Sequence, residues 1–190
     1  MEKRKIVVAT GNKAKLREIR QILSDFEVVS MQEMGFDQDI EENGTTFYEN
    51  ALIKAKTVAT YLNLPALADD SGICVNALND APGIYSARYA GDGIDEHNNQ
   101  LLLKNMQGKI DRRARFVCCM VYYTPDGVIK TATGETHGKI LDSLEGVNGF
   151  GYDPLFFSDD LNKSLGVASA EEKNGISHRA RALNKIKELI

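Results

Sequence analysis

Hydrophobic positions in this chain switch between two spacings, short β-branched runs and longer stretches repeating every three to four residues. The run Lys5-Ile-Val-Val-Ala-Thr10 predicts a first strand and Gly11-Asn12 a turn. Leu16, Ile19, Ile22 and Leu23 then share one face of a helix expected over roughly Lys15 to Leu23. On that wheel Lys15 lies on the apolar arc and Lys13 lies off it. A lysine on the inward arc needs an anion, unless its stem carries the ammonium out to solvent. Glu27 to Ser30 predicts a second short strand, and Asp37 to Gly44 an acidic loop containing Glu41 and Glu42. Thr46-Phe-Tyr-Glu49 is a capping-box pattern opening a long helix to about Asn63. Phe47, Ala51, Ala55, Val58, Ala59 and Leu62 form its buried stripe, with Asn50 and Lys54 as an i,i+4 pair on the flank.

The stretch Pro65-Ala-Leu-Ala-Asp-Asp-Ser-Gly72 organises the rest. Ala66 to Ala68 predicts a buried strand ending in two carboxylates, with Gly72 turning the chain before a strand resumes to Val75. Successive strand side chains point to opposite faces, so Asp69 and Asp70 are expected to do different jobs. Taken alone, an Asp-Asp pair is more often a polar turn than a site.

Further along, Ala81-Pro-Gly83 predicts a turn and Ile84 to Gly91 an irregular, aromatic-rich segment. Asp95 is expected to cap a helix carrying Leu101, Leu102, Leu103 and Met106. Ala114 to Thr124 reads as a long strand, turned by Pro125-Asp-Gly127 into Val128 to Thr133, with Glu135 to Ile140 a further strand. The glycine-rich loop Gly146 to Pro154 is expected to expose Phe150 and Tyr152 to a flat ligand, and Pro154 to Phe157 is a buried run. Ser169-Ala-Glu-Glu172 is a second capping box, opening a helical turn that holds Lys173. A last helix runs from Ser177 to Ile190 with Ala182, Leu183, Ile186, Leu189 and Ile190 inward. Arg179 lies at the centre of that stripe, His178 at its edge, and Arg181 points away. A central arginine demands a partner.

Composition narrows the class. The 190 residues can bury a good core, as one domain or as two joined lobes dividing near Ala114 and Asp142. A net charge of −4 argues against a surface that coats nucleic acid. An anionic small ligand is compatible if local lysines, arginines or a metal ion meet it. Cys74, Cys118 and Cys119 lack Cys-x-x-Cys spacing and sit in apolar runs, so they are expected to be small buried residues. Without a bilayer-length apolar run or a signal-peptide pattern, the expectation is a cytoplasmic protein with no membrane partner.

Six segments, Thr10-Gly-Asn-Lys-Ala-Lys15, Glu41 to Ala51, Leu67 to Gly72, Ala81 to Arg88, Gly149-Phe-Gly-Tyr-Asp-Pro154 and Ser177-His-Arg179, resemble the inosine triphosphate pyrophosphatase family in order and spacing. The resemblance implies an α/β fold with an elongated, mixed, twisted sheet, flanking helices and two lobes around a nucleotide cleft. It implies a single nucleoside triphosphate pyrophosphatase domain over residues 1–190 and, usually, a homodimer. The implied reaction is cleavage of non-standard purine nucleoside triphosphates (ITP, dITP, XTP) between the α- and β-phosphates, giving monophosphate and pyrophosphate. The implied cofactor is Mg²⁺, with Mn²⁺ an alternative for the same oxygen ligands. By position, Thr10, Gly11, Asn12, Lys13, Ala14, Lys15 and Ser71 contact the triphosphate, while Glu42 and Asp70 serve the metal. Asp70 is also the implied proton acceptor, Lys54 and Asp69 support the phosphate and metal region, and Lys15 and Lys54 offset charge on the pyrophosphate leaving group. Phe150, Gly151, Tyr152, Asp153, Lys173, His178 and Arg179 build the base pocket. Competing readings are a pyrophosphatase of the Maf type, a nucleotide sensor without turnover, and a structural protein. The loop at Gly149 to Pro154 and the His178-Arg179 pair favour purines, and the intact acidic and basic set favours turnover.

Overall fold

The structure, a computed structural model, describes residues 3–190. In chain order it contains β1 (Lys5–Val8), α1 (Lys13–Ile22), β2 (Glu27–Ser30), α2 (Phe47–Leu62), β3 (Ala66–Val75), α3 (Asp95–Asn105), β4 (Arg113–Tyr123) and β5 (Ile129–Ile140). Strands β6 (Phe156–Ser158) and β7 (Lys163–Ser164) and helices α4 (Ala170–Ile176) and α5 (His178–Lys187) follow, with 3₁₀ turns between. The strands form one mixed sheet in the order β2-β1-β3-β4-β5-β6-β7. β1 runs parallel to both β2 and β3, with Val7 opposite Val29 and Ala66, whereas β6 is antiparallel to β5 and β7.

Two compact units partition the chain. The first takes the chain up to Asp70, Cys118–Gly134 and Arg179–Ile190, and the second takes Ser71–Val117 and Glu135–His178. The backbone thus passes between them four times, once at Val117–Cys118, close to the division expected near Ala114. No shift in composition marks these crossings, because three of them fall inside strands.

Period-two alternation builds two cores in the first unit. Ile6, Val8, Leu67 and Met120 pack with Ile19 of α1, Leu23 at its C-cap, and Leu183 and Ile186 of α5. Their strand neighbours Val7, Ala9, Ala66, Ala68, Cys119 and Val121 pack on the other face with Ala51, Ala55, Val58 and Ala59 of α2. The second unit has its own core around Ile73, Leu102, Met106, Phe116 and Phe156, where the two phenylalanine rings lie 4.7 Å apart.

Local signals account for the helix starts. Asn12 caps α1, its Oδ1 accepting from the amides of Ala14 (2.9 Å) and Lys15 (3.1 Å). Thr46 caps α2, and Ser169 with Glu172 forms a reciprocal capping box on α4. The box expected at Thr46 is modified: the Glu49 carboxylate takes the Thr45 amide at 2.6 Å.

Several expectations are corrected. β3 does not end at Ala68 but continues through Asp69 and Asp70 to Val75, and Gly72 is a buried strand residue rather than a turn. Charges that would end a strand in isolation are matched here by cations brought from distant segments. Val128–Thr133 and Glu135–Ile140 merge into the single strand β5, with Gly134 in its interior. Gly138 on that strand admits β6, since a Cβ there would lie 2.0 Å from the Phe157 carbonyl oxygen. Asp95 is the first residue of α3, not its cap, a position held by Ile94. Leu102 and Met106 face the core as expected, joined by buried Asn98 and Asn99. Leu189 is half exposed rather than inward. The three cysteines are buried and free. Among the described residues no helix is long and apolar enough to cross a membrane.

Candidate active site

Asp69 and Asp70 lie in mid-strand, 2% and 8% exposed, and strand geometry sends their carboxylates to opposite faces. On the α1 and α5 face, Asp69 Oδ2 accepts from Lys15 Nζ at 2.9 Å and lies 3.5 Å from Arg179 Nη2. The Arg179 guanidinium, 1% exposed, also donates to Glu18 Oε2. Glu18 follows Lys15 by three residues on α1, so both reach the same side of the helix. A continuous line of charge results: Lys15, Asp69, Arg179, Glu18. Burial pushes the Asp69 carboxyl up, but the cations of Lys15, Arg179 and Lys54 outweigh it and hold the group well below the usual carboxylate range. The inward lysine and the central arginine thus satisfy each other's chemistry through one buried carboxylate.

On the α2 face, Asp70 Oδ2 accepts from Asn50 Nδ2 at 3.1 Å. Asn50 is oriented by its other end, where Oδ1 accepts the Gly44 amide at 2.9 Å. Gly44 permits this approach, because a Cβ there would come within 2.7 Å of that oxygen. Lys54 Nζ bridges the acidic loop to the strand, 2.8 Å from Glu42 Oε2 and 3.8 Å from Asp70 Oδ1. Burial pushes the Asp70 carboxyl up to about 6; Lys54 pulls against this and Glu42 adds to it. Burial opposes the charge on Lys54, but Asp69, Asp70 and Glu42 together hold its ammonium above the ordinary value.

The segment Thr10 to Asn12 forms the connection into α1, and Lys13 and Ala14 are its first residues. Thr10 Oγ1 accepts the Asn12 amide at 3.2 Å, and exposed Lys13 lines a groove of about 770 Å³ with Thr10, Gly11, Asn12, Arg17 and Arg20. Lys13 and Lys15 therefore face different surroundings, as the helical wheel requires.

In the second unit, Lys173 is buried, with Nζ 2.6 Å from Asp153 Oδ2 and 4.2 Å from the centroid of the Phe150 ring. The same Asp153 oxygen accepts the Phe150 amide at 2.9 Å. Gly149 (φ +78°) has no room for a Cβ, which would sit 2.0 Å from that oxygen. Tyr152, expected to be exposed, is 5% exposed and donates its hydroxyl to the Ser86 carbonyl at 2.6 Å. Phe150 is half-buried. His178 stacks on Phe116 with centroids 4.9 Å apart. Ser71 follows Asp70 as a half-buried residue of β3.

The fold thus gathers Lys15, Asp69 and Arg179 in one cluster and Glu42, Lys54 and Asp70 in another, all within the first unit. Phe150, Asp153 and Lys173 form a third within the second. Sequence reasoning missed Glu18 and Phe116. The i,i+3 spacing of Glu18 from the inward Lys15 was a usable signal, whereas nothing local pairs Phe116 with His178.

Comparison with known proteins matches this architecture to a family. Residues 6–189 match the Ham1 family. The chain is 47% identical over 189 residues to a dITP/XTP pyrophosphatase of Listeria innocua, covering 97% of this chain and 93% of the relative. Among solved structures, the Ham1 protein of Staphylococcus aureus has a TM-score of 0.90 at 43% identity, covering 98% of this chain and 97% of its own. A Ham1 protein from Coxiella burnetii also has a TM-score of 0.90, at 38% identity and 98% coverage of each chain. Sharing sequence and fold over nearly its whole length, the chain belongs to the Ham1 family.

Proposed function

We propose that this protein is a Mg²⁺-dependent pyrophosphatase that removes dITP, XTP and ITP from the nucleotide pool, releasing the monophosphate and pyrophosphate. Its curated relatives carry the name dITP/XTP pyrophosphatase. The observation that carries the reading is the adjacent pair Asp69 and Asp70, buried in one strand and set among the cations of opposite faces.

The donor set fits a hard divalent ion. Glu42 and Asp70 offer two carboxylates on one side of the sheet, already linked through Lys54. Mg²⁺ usually takes one or two carboxylates and completes its shell with water and phosphate oxygens. Glu42 and Asp70 would hold the ion, which when bound supplies neutralisation of phosphate charge.

The chain's own groups carry the remaining roles. Asp70, oriented by Asn50, accepts the proton of the attacking water. Lys15 and Lys54 offset charge accumulating on the pyrophosphate leaving group, held in place by Asp69 and Glu42. The Thr10 to Lys13 segment and Ser71 supply phosphate contacts. Phe150 stacks on the purine, and Lys173, His178 and Arg179 are the donors that read its 6-oxygen. Arg179 carries a second assignment from geometry, as the anchor of Asp69. A homodimer, as the resemblance implies, and a cytoplasmic location complete the proposal.

The test is hydrolysis of dITP, XTP, ITP and dATP with Mg²⁺ or excess EDTA, with products separated by anion exchange. The reading expects monophosphate and pyrophosphate from the first three, little turnover of dATP, and none in EDTA. Equal rates on all four, or release of inorganic phosphate alone, would overturn it.

A further inference from the structure

The loop carrying Phe150 is held from outside by a helix to which no role has been given. Asp95 and Asn99 stand four residues apart on α3 and so share one face of it. Asp95 Oδ2 accepts the Gly151 amide at 2.8 Å. Asn99 Nδ2 donates to the Gly151 carbonyl at 3.0 Å. Both backbone polar groups of one glycine are thus taken by two side chains of a single helix turn.

Three further observations make this more than loop packing. First, Gly151 has φ +62°, and its neighbour Gly149 has φ +78°. A peptide flanked by left-handed residues needs external hydrogen bonds to select one conformation. Second, the amide of the preceding residue, Phe150, is taken by Asp153, which also holds Lys173. The clamp at Gly151 and the Asp153–Lys173 pair therefore fix the Phe150 ring and the ammonium beside it from two directions. Third, Asn99 is buried, and its Oδ1 has no hydrogen-bond partner among the described residues. A half-satisfied buried amide costs stability that an apolar residue of similar volume would not. Among the described residues, the hydrogen bond this side chain gives goes to Gly151. The adjacent Asn98 does a separate job, tying the Ala90 amide and the Ala87 carbonyl.

We propose that Asp95 and Asn99 are positioning residues for base recognition, which set the Phe150 ring and the Lys173 ammonium by clamping Gly151. The proposal rests on the assignment of this loop to the purine. Neither side chain is required to touch the nucleotide. Their removal acts through loop order, so it weakens ground-state binding of the base and leaves the phosphate chemistry of the first unit intact.

The experiment compares Asp95→Ala, Asp95→Asn and Asn99→Leu with wild type. It measures kcat and KM for dITP and dATP, and backbone amide exchange of Gly151 and Phe150 by NMR. Asp95→Ala should lose Gly151 amide protection and raise KM for dITP about threefold to tenfold, the scale of one lost hydrogen bond. Its kcat should stay within about twofold of wild type. The dITP to dATP preference should narrow, and Asp95→Asn, whose amide oxygen can still accept the Gly151 N–H, should restore most of it. Asn99→Leu should give the same kinetic pattern. Asp95 is exposed, so Asp95→Ala remains informative even if Asn99→Leu fails to fold. Unchanged KM and preference in an Asp95→Ala protein that has lost Gly151 protection would overturn the inference, as would a fall in kcat alone. Wild type that turns over neither nucleotide would overturn the functional reading, and this inference with it.

Discussion

Replacing Asp69 with asparagine removes one negative charge from a buried site without changing its shape. Two cations lose their shared partner: Lys15, whose side chain is 17% exposed, and Arg179, at 1%. Lys15 can swing its ammonium to water, whereas Arg179 cannot and keeps Glu18 alone of these two carboxylates. Breaking a buried pair by deleting one partner costs about 3–5 kcal/mol. The freedom of Lys15 and the residual Glu18 pair place Asp69→Asn near the lower end, about 3 kcal/mol. The assay is urea unfolding of metal-free protein in EDTA, followed by circular dichroism because the chain has no tryptophan. A double-mutant cycle with Lys15→Met should show the two losses falling short of additivity by about 0.5–3 kcal/mol. The pH dependence gives a sign test. The folded-state value of Asp69 is depressed, so its stabilising contribution is complete above the unfolded-chain value of about 3.9 and declines as pH falls toward the folded value. The gap between wild type and Asp69→Asn should therefore be constant from about pH 5 to 8 and shrink in acid. A gap below about 1 kcal/mol at neutral pH, or one that widens in acid, would refute the charge line.

Other outcomes follow from the same geometry. Asp70→Asn should keep the fold and lose on the order of 10²-fold in kcat, whereas Glu42→Gln should be partly rescued by raised Mg²⁺; titrating both variants with metal distinguishes the roles. Arg179→Ala should narrow the preference for ITP over ATP in kcat/KM if the guanidinium reads the base, and Phe150→Ala should weaken both nucleotides alike. A uniform loss in Arg179→Ala, with lowered thermal stability, would leave it as the anchor of Asp69 alone. Gly149→Ala forces a Cβ toward Asp153 at a positive φ, so it should lower Tm and raise KM for dITP, measured by calorimetry and steady-state kinetics.

What the sequence made legible was local. Asn12, Thr46 and Ser169 act within three residues of themselves, so their helix starts could be read directly. The wheel correctly separated Lys15 from Lys13 and put Arg179 in the interior with a demand for a partner. It could not name that partner, because Asp69 and Glu18 are remote from Arg179 in the chain. The same limit hid the full length of β3. Two adjacent aspartates look like the end of a strand until Lys15, Lys54 and Arg179 arrive from three other elements. Tyr152 looked like an exposed ring in a glycine-rich loop. Its hydroxyl instead finds the Ser86 carbonyl, and the ring packs into the core of the second unit. Asp95 carried a helix-start signal that was real, but its carboxylate serves Gly151 rather than its own helix.

The central claim is hydrolysis at the α-phosphorus of a non-standard purine triphosphate, with Asp70 taking the proton of the attacking water. Hydrolysis of dITP in ¹⁸O-labelled water, with mass analysis of both products, tests it most directly. The account predicts the label in the monophosphate, unlabelled pyrophosphate, and no diphosphate intermediate. Label in the pyrophosphate would mean attack at the β-phosphorus and would contradict it.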